Sequence, residues 1–254
     1  MPYAKNGEIN IYYEVEGKGP PLVMLYGLTG NIDGLKETGY VDALKDECQI
    51  ILMDFRGHGK SDKPHDPALY MVENIVGDVT AVLDRLDIKT ANFMGYSFGG
   101  GICYELAKRI PERITSLIIG GCGAQNPPPE MLEGQIKLYE SGAEAIIATY
   151  EQTSPLPPDV KAHIFTNDYK ALAALCKAMM SFPPVINDTP NMKMPILLYA
   201  GEKDFGFQQI IETSKMLPNA TLVSLPGLDH MLGGGSTEIV VPLIKEFLAR
   251  VNKA

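Results

Sequence analysis

The sequence predicts an α/β protein in which one mostly parallel sheet is covered on both faces by helices. Three observations carry this. Apolar runs of strand length alternate with segments of helical period along most of the 254 residues. Those runs are nearly continuous in apolar character, as strands buried on both faces require. One of them, residues 91–96, leads straight into Gly95-Tyr96-Ser97-Phe98-Gly99, and a helix-like segment follows. That is the strand–turn–helix setting of a nucleophile elbow.

In chain order, residues 8–16 alternate and read as a hairpin strand. Residues 21–26 form a short apolar run, and residues 49–55 another. Over residues 70–86 the positions Val72, Ile75, Val76, Val79, Val82 and Leu83 fall mostly on one stripe, so a helix is expected. Residues 91–96 are the strand before the serine. Residues 98–109 are the helix after it, stopped by Pro111. A strand at 116–121 comes next.

The alternation then breaks. From Pro127-Pro128-Pro129 to Phe182-Pro183-Pro184 the chain is helix-like throughout. Helices are expected at 129–140, 143–153, 158–165 and 168–180. Proline punctuation at both ends marks an inserted subdomain. The expected division is therefore a core of 1–125 and 186–254 with an all-helical cap at 126–185. The insertion falls between two strands, so it belongs over their carboxyl ends, where open α/β sheets bind ligands. Strands resume at 195–200 and 221–225, with helices at 208–216 and 238–251.

Hydrophobic residues make up 45% of the chain, enough for a sizeable core. The net charge of -9 argues against a nucleic-acid partner. The first seven residues hold no apolar core of signal-peptide length, and no window approaches a membrane span. The expectation is a cytoplasmic protein without membrane insertion. Cys48, Cys103, Cys122 and Cys176 lie in no metal-binding spacing and read as buried thiols, with a pairing of two distant ones the alternative. With no H-E-x-x-H, no cysteine–histidine cluster and no G-x-G-x-x-G, neither a metal nor a cofactor is expected.

A serine hydroxyl needs a base, and the base needs an orienting carboxylate. Of the four histidines, His58 lies in a glycine-rich turn, His65 in a proline-flanked loop and His163 in the inserted helices. His230 alone follows a late core strand, in the loop before the last helix, and is the expected base. The acid should come from the strand end between serine and histidine. Asp204, in Gly201-Glu202-Lys203-Asp204, is preferred, with Glu202 the nearer alternative. Asp229 adjoins His230 and would point away from the imidazole. The oxyanion needs two donors. The amide of Phe98 is one, and the Gly27-Leu28-Thr29-Gly30 loop supplies the other through Leu28.

The ensemble resembles the α/β-hydrolase superfamily. The order Ser97, Asp204, His230 matches its serine, acid, histidine order. Asp54-Phe55-Arg56-Gly57-His58-Gly59-Lys60-Ser61-Asp62 resembles its D-x-R-G-x-G-x-S turn, and Gly201 to Asp204 its G-x-x-D loop. The resemblance implies a mostly parallel eight-stranded sheet, a pocket shaped by the cap, and a structural role for Arg56 and His58. It points toward small, cofactor-free members such as carboxylesterases and enol-lactone hydrolases.

Two features depart from the family pattern. Tyr26-Gly27 stands where such relatives have His-Gly, so the oxyanion loop is expected to pack differently. The nucleophile position holds serine and the chain has no tryptophan, which disfavours dehalogenase and epoxide-hydrolase chemistry. Gly27, Met131, Met179, Phe205 and Met231 are the candidate substrate contacts. Met131, Leu132, Ile136, Ile146, Met179, Met180 and Phe182 divide between an acyl pocket and the cap's own core in a way spacing does not decide.

The expected function is hydrolysis of a small or medium carboxylic ester or lactone through an acyl-enzyme. Alternatives on the same residues are carbon–carbon bond hydrolysis and cofactor-free perhydrolysis. A slow-turnover ligand sensor acting through a protein partner is the rival from another class.

Overall fold

The computed structural model describes residues 2–152 and 155–252. Strand β1 (Tyr3–Asn6) turns back into β2 (Ile9–Glu16), and β3 (Pro21–Leu25) follows. Two short helices, α1 (Ile32–Glu37) and α2 (Tyr40–Leu44), lead to β4 (Gln49–Met53). After a glycine-rich turn come α3 (Val72–Arg85), β5 (Ala91–Tyr96), α4 (Phe98–Arg109) and β6 (Ile114–Gly120). Four helices without an intervening strand follow: α5 (Pro129–Glu140), α6 (Ala143–Tyr150), α7 (Pro158–Thr166) and α8 (Tyr169–Met179). The chain then runs through β7 (Ile196–Gly201), α9 (Phe207–Met216), β8 (Ala220–Leu225), α10 (His230–Gly235) and α11 (Thr237–Val251).

Among the described residues eight strands form one sheet in the order β1-β2-β4-β3-β5-β6-β7-β8. The β1–β2 and β2–β4 pairs are antiparallel and the rest are parallel. The parallel strands bury alternate residues on opposite faces, as the two-residue period of a strand dictates. Val23, Leu25, Phe93 and Ile119 join α3 and α4 in one core, with Val79, Val82, Ile102 and Leu106. Leu22, Met24, Met94 and Ile118 join α2 and α11 in the other, with Leu44, Val240, Ile244 and Phe247. Each such side chain contributes roughly 1.5–3 kcal/mol by leaving water. Hence the strands read as unbroken apolar runs.

The expected strands are present with ends shifted by one or two residues. Four elements went unforeseen: β1, α1, α2 and α10. The helix expected from residue 70 starts at Val72, because Pro67–Tyr70 forms a separate 3-10 turn capped by Asp66. In the insertion, α6 ends at Tyr150, and Thr153, its expected last residue, lies outside the described residues. Asp168 caps α8 instead of opening it, accepting from the Lys170 and Ala171 amides. The insertion has a small core of its own around Ile136, Tyr139, Ile146 and Leu172. No helix among the described residues is long and apolar enough to cross a membrane.

Candidate active site

Ser97 sits between β5 and α4 with φ 53 and ψ -114. A positive φ is costly for serine and persists only where the surroundings enforce it. They do so here through glycines. A Cβ on Gly95 would overlap the Gly99 carbonyl, and one on Gly99 the Leu25 carbonyl. Strand and helix therefore close tightly around the turn, and the Ser97 amide donates to the Gly120 carbonyl at 2.9 Å.

Asp204 and His230 follow adjacent strands, β7 and β8, whose ends are zipped together by backbone. Lys203 N–H donates to the Leu228 carbonyl at 2.9 Å, and Glu202 N–H to the Leu225 carbonyl at 3.1 Å. Gly201 allows this, since a Cβ there would strike the Leu228 carbonyl. The Asp204 side chain is 0% exposed. Its Oδ1 accepts the Gly206 amide at 2.8 Å. Its Oδ2 lies 2.7 Å from His230 Nδ1, and His230 Nε2 lies 3.0 Å from Ser97 Oγ. In the neutral imidazole, Nδ1–H donates to Asp204 and Nε2 accepts the serine proton. Glu202 and Asp229 are both exposed. Asp229 caps α10 by accepting the Leu232 amide at 2.9 Å.

His230 opens the short helix α10, where the sequence suggested a loop. The run His230-Met231-Leu232-Gly233-Gly234-Gly235 has poor helix propensity, and the Asp229 cap compensates for it. Tyr96 braces the histidine from below, with its hydroxyl donating to the His230 carbonyl. The Phe205 ring lies against the imidazole, centroids 4.6 Å apart, while remaining 70% exposed.

Beside the serine, the loop after β3 comes close enough that a Cβ on Gly27 would stand 3.5 Å from the Ser97 Cβ. The Leu28 and Phe98 amides donate to no acceptor among the described residues. Both residues line the same cavity as Ser97. The Tyr26 ring lies against this loop, where a Cβ on Gly30 would strike it. Its buried hydroxyl donates to Asp54 Oδ1 at 3.0 Å and accepts the Phe55 amide at 3.0 Å.

The cavity holds about 270 Å³. It runs from Leu28, Ser97 and Phe98 under the inserted helices, where Met131, Leu132, Met179 and Phe182 line it. Ile136 and Ile146 belong to the insertion's own core, and Met180 is exposed. Cys122 also lines the cavity. Its thiol donates to the Gly123 carbonyl at 3.2 Å, and burial pushes its pKa up to about 12, so it stays protonated. All four cysteines are free.

Residues 20–154 match the family described as alpha/beta hydrolase fold. The chain belongs to the α/β-hydrolase family. A cis-3-alkyl-4-alkyloxetan-2-one decarboxylase of Shewanella oneidensis is 37% identical, over 98% of this chain and 88% of that one. A Bacillus subtilis protein provisionally assigned as a 2-succinyl-6-hydroxy-2,4-cyclohexadiene-1-carboxylate synthase is 26% identical, over 95% and 96%. Among solved structures, the enol-lactonase of Burkholderia xenovorans LB400 superposes with a TM-score of 0.84 at 25% identity, covering 98% of this chain and all of that one.

Within this α/β hydrolase the other expected site residues are dispersed. Met131 and Met179 line the cavity, as does Phe205. Met231 is 80% exposed and lies off the cavity lining, because the first turn of α10 carries it outward. His58 is fully buried. Its Nδ1 lies 3.2 Å from the Arg56 carbonyl, and its Nε2 has no partner among the described residues. Arg56 is held by Asp78, with Nε to Oδ2 at 2.6 Å. His65 pairs with Asp168 at 3.0 Å, and His163 Nε2 lies 3.1 Å from the Thr29 carbonyl. Sequence reasoning missed Glu105, a buried cavity-lining carboxylate. Its i,i+4 spacing from Arg109 reads as an ordinary helix-surface pair.

Proposed function

We propose that this α/β hydrolase cleaves uncharged carboxylic esters or lactones of small to medium size through a serine acyl-enzyme. The observation that carries the reading is the unbroken hydrogen-bonded line from Asp204 through His230 to Ser97, opening on an apolar cavity. Ser97 Oγ attacks the carbonyl carbon while His230 Nε2 takes its proton. Asp204 holds the imidazole in the needed tautomer and stabilises the imidazolium that forms. The Phe98 and Leu28 amides receive the oxyanion, and the start of α4 adds its partial positive charge. His230 returns the proton to the leaving oxygen, and water then repeats the sequence on the acyl-enzyme. The four helices between β6 and β7, spanning 126–185 with their connections, act as a cap that roofs the acyl site.

Two similarities favour a lactone among these substrates. The Burkholderia protein is an enol-lactonase. The Shewanella relative is named for an oxetan-2-one, which is a four-membered lactone. In either ring, attack at the carbonyl puts negative charge where the two amides lie.

The test combines labelling and kinetics. A fluorophosphonate should add once, at Ser97, and abolish turnover in step. Nitrophenyl esters should give a burst of nitrophenol equal to the labelled fraction when deacylation is slow. A label on another serine, or full activity in Ser97→Ala, would reject the mechanism. Release of carbon dioxide from an oxetan-2-one, without the hydroxy acid, would move the protein from hydrolysis to decarboxylation.

A further inference from the structure

The cavity lining is chemically lopsided. Among the described lining residues Glu105 is the one charged side chain, and no lysine, arginine or histidine joins it. Several lining groups are carboxamides, but two already donate elsewhere. Asn126 Nδ2 donates to the Phe182 carbonyl at 2.8 Å, and Gln125 Nε2 reaches Glu212 at 3.5 Å. A carboxylate entering this space would meet a like charge in a weakly screened setting, with no cation to offset its lost hydration.

Glu105 is built into the wall. Its side chain is 7% exposed. One oxygen, Oε2, accepts from Arg109 Nε at 3.0 Å. The other, Oε1, accepts from nothing among the described residues. Burial raises the Glu105 pKa, and Arg109 opposes that. That Oε1 is not sealed off, so it is open to water or to a donor that enters the cavity.

Position turns this into a measure of substrate length. Ser97 caps α4, and Gly101, Ile102 and Glu105 follow it along the helix into the same cavity. Eight residues of helix rise about 12 Å. The cavity therefore runs from Ser97 along α4 to Glu105.

We propose that the cavity selects an uncharged, medium-length acyl group whose far end carries a hydrogen-bond donor, a hydroxyl in the simplest case, and that Glu105 recognises that donor. The proposal rests on Ser97 being the nucleophile only in fixing which end of the acyl chain Glu105 meets. An acyl chain ending in a carboxylate is rejected by the same residue. Glu105 is thus a specificity-determining residue that takes no part in bond breaking.

The experiment uses three nitrophenyl esters of equal chain length: octanoate, its terminal-hydroxy analogue, and the monoester of suberate. The hydroxy ester should exceed octanoate in kcat/KM by about tenfold, the size of one hydrogen bond to a charged group. The suberate monoester should fall below octanoate. Glu105→Leu should erase the hydroxyl preference and lift suberate toward octanoate. Glu105→Gln, which keeps the volume and an acceptor, should retain part of the hydroxyl preference while relieving the suberate penalty. It also serves if the leucine variant does not fold. Equal ratios among the three esters in wild type and both variants would overturn the proposal and leave Glu105 as a partner of Arg109. The same order should appear in dissociation constants of the three esters for Ser97→Ala. Flat binding there overturns the selection by Glu105, whereas undiminished turnover in that variant overturns the role of Ser97.

Discussion

His58 and His230 both follow core strands in glycine-rich surroundings, yet they occupy opposite chemical situations. His230 has a partner on each ring nitrogen, Asp204 on one side and Ser97 on the other, and its side chain is 17% exposed. His58 is sealed from solvent, with one nitrogen near a backbone carbonyl and the other unpartnered. Its ring stacks on Phe98, 6.4 Å between centroids, from behind the wall that faces the cavity. Proton transfer requires partners that can exchange a proton and a route for the substrate. Burial without these makes a histidine a packing element. Burial also lowers the His58 pKa to about 4, so it stays neutral when the protein is folded at neutral pH.

The largest expected effect separates the two residues directly. Ser97→Ala and His230→Ala should each lower kcat by about 10⁴ to 10⁶-fold while the protein stays folded. His58→Ala should instead lower the melting temperature and the yield, with turnover per fluorophosphonate-labelled site near that of wild type. A folded, inactive His58 variant beside an active His230 variant would reverse the assignment. Next in size, Asp204→Asn should lower kcat by about 10⁴-fold or less, because in the proposed mechanism the carboxylate orients and stabilises without bonding to substrate. Retained activity in that variant would point to Glu202 or Asp229 as the acid.

The comparison also predicts how stability depends on pH. Unfolded, His58 takes a proton near its ordinary value of about 6.5. Folded, it resists protonation down to about 4. Between those values the unfolded state binds more protons, so stability falls as the solution is acidified through this window. The contribution is complete above about 6.5 and amounts to at most about 3 kcal/mol. Urea midpoints across this range should show the slope, and His58→Phe should flatten it. An unchanged slope in the variant would place the acid sensitivity elsewhere. The smallest effect belongs to the neighbouring ring. Tyr26→Phe removes the acceptor for the Phe55 amide and a donor to Asp54, and should lower stability by about 1–3 kcal/mol. If kcat/KM on nitrophenyl acetate also collapses, Tyr26 shapes the oxyanion loop as well as anchoring it.

The central strands β3 to β7 were legible because burial on both faces leaves a continuous apolar run, which little else in a chain of this size produces. The elbow was legible because close packing on both sides of Ser97 requires glycine at 95 and 99. The line from Ser97 to Asp204 followed from chemistry and chain order, and the structure brings those side chains together. The short helices α1 and α2 were hidden by Gly34 and Gly39, which interrupt the period, and α10 by its three glycines. The lining of the cavity was largely illegible. Met179 ends α8 and Met180 follows it, and only the docking of that helix decides that the first lines the cavity and the second meets water. Glu105 was illegible for a related reason, since the depth of the cavity alongside α4 has no local signature.

The two ends of the helical segment meet where Asn126 Nδ2 donates to the Phe182 carbonyl, 56 positions further along the chain. A segment closed at its base in this way can lengthen or shorten at little entropic cost, since each doubling of a loop adds only about 0.6 kcal/mol. Such changes of length cost least in α5 to α7, because Ala171, Ala174, Leu175 and Ala178 hold α8 in the main core beside the sheet.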